Sequence, residues 1–170
     1  YGNIDTMCHM YGPDSRQVAA ELDMFLYAMD KWFLPNLRAG SNRVLFAMTA
    51  DHGHMAVTPK NTRYVNQDEN ARELLPMLRT DRRGHVLPPG GSPRDMFLYV
   101  RDEYLDDAYG LLKQSLAGYA DVVKTTDLLN AGYFGALPVV PELNARLGNL
   151  TILSYENNCV WWFEEKKFSQ

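Results

Sequence analysis

Apolar residues recur in two different rhythms along the early part of the chain. Val18, Leu22, Phe25, Leu26, Met29, Trp32 and Phe33 return at helical spacing, which predicts a long amphipathic helix to about residue 34. Gly12-Pro13-Asp14-Ser15 ahead of it reads as a turn and helix start, with Asp14 and Gln17 spaced as a capping box. Pro35 should kink or end that helix, and Gly40 falls in the loop beyond. The rhythm then changes. Val44-Leu45-Phe46-Ala47-Met48-Thr49 is a continuous apolar run, the pattern of a strand buried on both faces.

Further along, residues 55–68 read as loop and 69–78 as helix despite Pro76. Residues 81–94 are polar and rich in Gly and Pro, including Pro88-Pro89-Gly90-Gly91-Ser92-Pro93, and mark a boundary. A strand at 96–100, a helix at 103–119 and a strand at 121–124 follow, and read as a compact, self-contained βαβ unit. Residues 141–147 make a short helix with Pro at a tolerated early position, and strands at 150–154 and 160–163 end the pattern. The organisation is alternating α/β: a core over 1–80, an inserted α+β subdomain over 81–136, and a return to the core sheet over 137–170. Trp161-Trp162-Phe163 suits a strand packed on both faces, with a substrate-lining role as the alternative.

Composition narrows the classes. An apolar content of 46% and a charged content of 22% suit a folded globular protein and exclude a disordered one. A net charge of −4 leaves no basic footprint for nucleic acid. No apolar run approaches a membrane span and no signal peptide is visible, and the compartment is not legible. Cys8 and Cys159 are too few for a disulfide scaffold or a thiolate metal site; two reduced thiols are favoured over one bridge.

The chemistry concentrates in Asp5-x-x-x-His9 and in Thr49-Ala50-Asp51-His52-Gly53-His54, the latter directly after the apolar run. On a helical turn, residues four apart share a face. In open α/β sheets, ligands gather at the carboxyl ends of strands, where Asp51-His52 is expected. Carboxylate with imidazole and no Cys favours zinc or manganese. Either cluster alone reads equally as a helix cap, a surface pair or a loop accident. Occurring together, each at a predicted sheet edge, they favour a divalent metal site.

Tyr1-x-x-x-Asp5-x-x-x-His9-x-Tyr11-Gly12-Pro13-x-Ser15, then a long helix, then Thr49-Ala50-Asp51-His52-Gly53, resembles the type I phosphodiesterase/nucleotide pyrophosphatase branch of the alkaline phosphatase superfamily. The resemblance is strong over residues 1–54 and only general beyond. It implies part of a three-layer αβα core and two divalent metal ions, zinc before manganese. Asp5 and His9 would bind one ion, Asp51 and His52 the other. It also implies a phosphate-ester substrate, nucleotide-like in this branch, and in-line phosphoryl transfer from a Thr or Ser nucleophile.

This family pattern holds more than the chain does. The nucleophile and an Asp ligand come from a segment ahead of the Asp5 motif, and a third ligand, a His, from well after the DHG motif. Thr6 and Thr49 do not match the nucleophile motif. His85 is the last histidine and lies earlier than that ligand would; a solvated loop role suits it better. His54 stands where the family carries no ligand, and a substrate, supporting or surface role is expected of it. Both ends read as cut, at Tyr1 without an initiator Met and after Glu164-Glu165-Lys166-Lys167. The chain is therefore expected to be part of a longer enzyme and inert alone. Two alternatives stay open: another reaction of the superfamily (phosphomonoesterase, sulfatase or phosphoglycerate-mutase-like), and a non-catalytic interaction module whose acids and histidines satisfy one another.

Overall fold

The computed structural model describes residues 2–39 and 43–163, within two compact units, Tyr1–Ala56 and Val57–Gln170. Tyr1, the loop position Gly40 and the charged run after Phe163 lie outside the described residues. The chain mixes helix and sheet, in agreement with the α/β reading at that coarse level.

The first unit is helical. Helix α1 (Asn3–Tyr11) stops at Gly12, whose amide makes the last bond to the Cys8 carbonyl at 2.9 Å and whose φ of 85° turns the chain out of the helix. Helix α2 (Arg16–Ala28) starts at Ser15, whose side chain accepts a hydrogen bond from the Val18 amide at 3.3 Å. The cap is thus Ser15 rather than Asp14, because Ser15 is the extended residue at the helix entrance. A π-helical turn, Met29–Phe33, joins α2 to α3 (Leu34–Ala39), so Pro35 does not end the helical path. The Leu34 amide reaches the Met29 carbonyl, and this wider turn takes up the ring clash that Pro35 would cause in a regular helix.

The expected strand at 44–49 is absent: residues 43–50 carry no regular structure. Leu45 is 93% exposed and Met48 65%; among the described residues the run has no neighbouring strand and little cover beyond Phe33, whose ring meets Phe46 edge-on at 5.1 Å. A strand buried on both faces needs both. No strand lies among the described residues of this unit.

The second unit holds the sheets. A 3₁₀ turn, Pro59–Asn61, leads into β1 (Thr62–Tyr64), and α4 (Ala71–Leu74) is followed by a second 3₁₀ turn ending at Met77. Strands β2 (Gly90–Gly91) and β3 (Asp95–Leu98) form a hairpin inside and beyond the segment expected to be a linker. Gly91, with φ 80°, is required there: a Cβ would lie 2.0 Å from the Asp95 carbonyl oxygen. Helix α5 (Leu105–Ser115), β4 (Ala120–Lys124), α6 (Thr125–Asn130), α7 (Pro141–Arg146), β5 (Leu150–Ser154) and β6 (Cys159–Trp161) complete it.

The larger sheet runs β2-β3-β5-β4, with β5 antiparallel to both neighbours, while β1 and β6 pair in parallel. The βαβ unit is therefore split rather than self-contained: β5, from the segment expected to return to the core sheet, lies between β3 and β4. β6 does pair with residues before 81, at Thr62–Tyr64.

Alternation in β3 and β5 builds two apolar clusters. Met96, Leu98, Leu150 and Ile152 pack with Ala108 and Leu112 of α5, whereas Phe97 joins Leu129 and Leu147. Thr151, on the alternate face of β5, is buried with its hydroxyl 2.9 Å from that of Thr125. No described helix is long and apolar enough to cross a membrane.

Candidate metal centre

Helix α1 places Asp5 and His9 one turn apart, with His9 Nε2 3.5 Å from Asp5 Oδ1. The irregular segment carrying residues 51–54 brings two more imidazoles to the same oxygen. His54 Nε2 lies 2.8 Å from Asp5 Oδ1, and His52 Nε2 lies 3.6 Å from it. The His54 ring stands edge-on to both His9 and His52, with centroids 4.9 and 5.0 Å apart. The two sequence clusters thus converge on a single carboxylate oxygen.

Proton positions follow from the partners. An ionised Asp5 only accepts, so His54 donates from Nε2. His52 Nδ1 is 3.1 Å from the Gly53 carbonyl, which only accepts, so this ring nitrogen is the donor of that bond. The hydrogen bond from His54 first, and the charges of His9, His54 and His52 after it, outweigh desolvation and hold the Asp5 carboxyl below the ordinary Asp range.

One donor atom each from Asp5, His52 and His54 lie within 4.8 Å of one another, the group among the described residues able to hold a metal ion. The donor set fits a divalent cation: imidazole nitrogens and one carboxylate oxygen suit zinc and its neighbours. The grouping differs from the pairing that the resemblance implies. Asp5 stands with His52 and His54, while His9 touches the same oxygen from the side. Asp51 is turned outward: its side chain is 92% exposed, Oδ1 accepts from the His52 amide, and Oδ2 is 3.9 Å from His52 Nε2.

His85 belongs to the second unit, where it forms a loop pair with Asp81 at 3.4 Å. The Asp81 carboxylate accepts from the His85 and Arg83 amides, which hold it below the ordinary range. The hydroxyls of Thr6 and Thr49 donate to nearby carbonyls, of Gly2 and Ala50. Both cysteines are free and buried, and burial pushes the Cys159 thiol up. Tyr64, Trp161 and Phe163, with the loop 89–93, line a cavity of about 470 Å³ in the second unit, so part of the aromatic run is a wall rather than packing alone. Trp162 packs on the larger apolar cluster.

The central position of His54 is what sequence reasoning missed. Its signal was the two-residue spacing from His52, which places both side chains on one side of any extended segment. No family model matches the chain, and no curated protein matches it.

Proposed function

We propose that these residues are part of a metal-dependent hydrolase of phosphate esters, of the phosphodiesterase/nucleotide pyrophosphatase type. The observation that carries the reading is the convergence of Asp5, His9, His52 and His54, from two motifs some fifty positions apart, on one carboxylate oxygen. In this reading Asp5 and His52 hold divalent metal, zinc foremost, and Asp51 serves a second ion. When bound, such ions stabilise charge on the phosphoryl oxygens and activate a hydroxyl nucleophile. The Thr or Ser nucleophile and the remaining ligands are supplied from outside residues 1–170.

The test is zinc-dependent turnover of a nitrophenyl phosphodiester. A protein that extends residues 1–170 in both directions hydrolyses it, and Asp5→Asn and Asp51→Ala each remove most of that activity. The 170-residue chain alone is inert. Turnover by the chain alone would overthrow the proposal.

One observation favours a second reading. Asp5 and His54 already satisfy each other at 2.8 Å, as they would in a non-catalytic module that binds no metal. Absence of zinc uptake by the longer protein would favour that reading.

A further inference from the structure

We infer that His54 is itself a metal ligand, completing with Asp5 and His52 a site for one divalent cation of the zinc class. The inference rests on the reading of Asp5 as a metal ligand and adds a donor that the motif resemblance does not assign.

Four observations carry it. His54 has the least exposed side chain of the three histidines around Asp5, at 21%, against 53% for His52 and 69% for His9. It is therefore the imidazole held most firmly by its surroundings. Its Nε2 points at the same oxygen as the Nε2 of His52, and the three donor atoms fall within 4.8 Å of one another. Donors about 2.1 Å from a tetrahedral zinc stand roughly 3.4 Å apart. The Asp5–His52 separation of 3.6 Å is near that spacing, and the Asp5–His54 contact of 2.8 Å is shorter because a proton lies between the atoms.

The chemistry of the set points the same way. Two imidazoles and one carboxylate on a half-open site leave positions for water or substrate, as catalytic zinc and other borderline cations require. His52 is oriented by the Gly53 carbonyl in the manner of metal-bound histidines, whose second ring nitrogen donates to an acceptor. His54 joins by holding its proton on Nδ1 and presenting Nε2 to the cation instead of to Asp5.

The competing role for His54 is positioning: donating to Asp5 and nothing more. Cobalt(II), a visible-absorbing stand-in for zinc, separates the two roles when titrated into the metal-free chain. The wild type is expected to take up one cobalt per chain. His54→Gln keeps an N–H for Asp5 but loses the imidazole, and is expected to weaken cobalt binding by about tenfold or more and to change its absorption. His54→Cys is expected to bind cobalt with a new thiolate-to-metal band in the near ultraviolet, which places residue 54 in contact with the ion. Circular dichroism of each variant checks the helices. Wild-type affinity and spectrum in His54→Gln, with no thiolate band in His54→Cys, would overturn the inference and leave the reading of Asp5 standing. No cobalt uptake by the wild type would overturn the three-residue site, whereas the hydrolase reading is decided separately by metal uptake and phosphodiester turnover of the longer protein.

Discussion

The two units of this chain divide its physics between them. Among the described residues of Tyr1–Ala56, only Cys8 is buried, whereas Leu26, Trp32, Val44 and Leu45 are exposed. The unit Val57–Gln170 contains a full apolar interior, with Leu98, Val100, Leu112, Leu150 and Ile152 at 2% exposure or less. Yet the group suited to a metal ion lies in the first unit. The second holds an aromatic-walled cavity and loop ion pairs. Stability and chemistry therefore have different owners. Exposed apolar surface on that scale is a feature of surfaces that something else covers.

The largest test of this division is truncation in the second core. Ile152→Ala is expected to cost about 2–5 kcal/mol in denaturant unfolding, from lost burial plus an unfilled cavity. Leu22→Ala in the first unit, at a position 42% exposed, is expected to cost less than about 1 kcal/mol. Equal costs would erase the distinction.

Next comes the chemistry of the first unit. His52→Ala is expected to weaken zinc binding by about tenfold or more, and Asp51→Ala to leave the first equivalent within about threefold. Calorimetric titration of each variant measures both. An Asp51→Ala effect as large as that of His52→Ala would restore the pairing implied by the motifs and displace the grouping around Asp5.

A smaller effect is expected at the buried hydroxyl pair. Thr151→Val leaves the Thr125 hydroxyl with a single long contact to the Leu147 carbonyl, 3.4 Å away, and removes its 2.9 Å partner. The cost is about 1–2 kcal/mol, read from the unfolding midpoint. The smallest is the Asp81 loop. Because the folded carboxyl is held below its ordinary value, its contribution is present above the usual Asp range and lost as the pH falls through the lowered value. Wild type should therefore melt slightly above Asp81→Ala at neutral pH, with the gap closing on acidification. A gap that widens in acid would reverse the sign.

Local periodicity carried much of this fold. The helical spacing from Val18 to Phe33 corresponds to α2 and its π turn, and the Pro at the start of 141–147 corresponds to α7. Long-range pairing was not legible. Nothing in the period of 150–154 says that β5 slips between β3 and β4, because register and neighbour are set by which faces bury which residues. The run 44–49 shows the converse failure, since an apolar stretch becomes a strand only where another strand accepts its backbone. Asp5, His9 and His52 were legible as metal-site candidates from residue type and spacing, and they meet at one oxygen. For His54 the sequence offered only its two-residue spacing from His52; its central place depends on how the irregular segment after residue 50 meets α1.

In the proposed site Asp5 is the hub of a metal centre rather than one half of a simple ion pair. Zinc titration of the metal-free 170-residue chain against its Asp5→Asn variant tests this directly. The wild type is expected to saturate at one zinc per chain and Asp5→Asn to lose most of that affinity, with the helical circular dichroism unchanged. Equal zinc affinity in the two proteins, or no zinc bound by either, would contradict it.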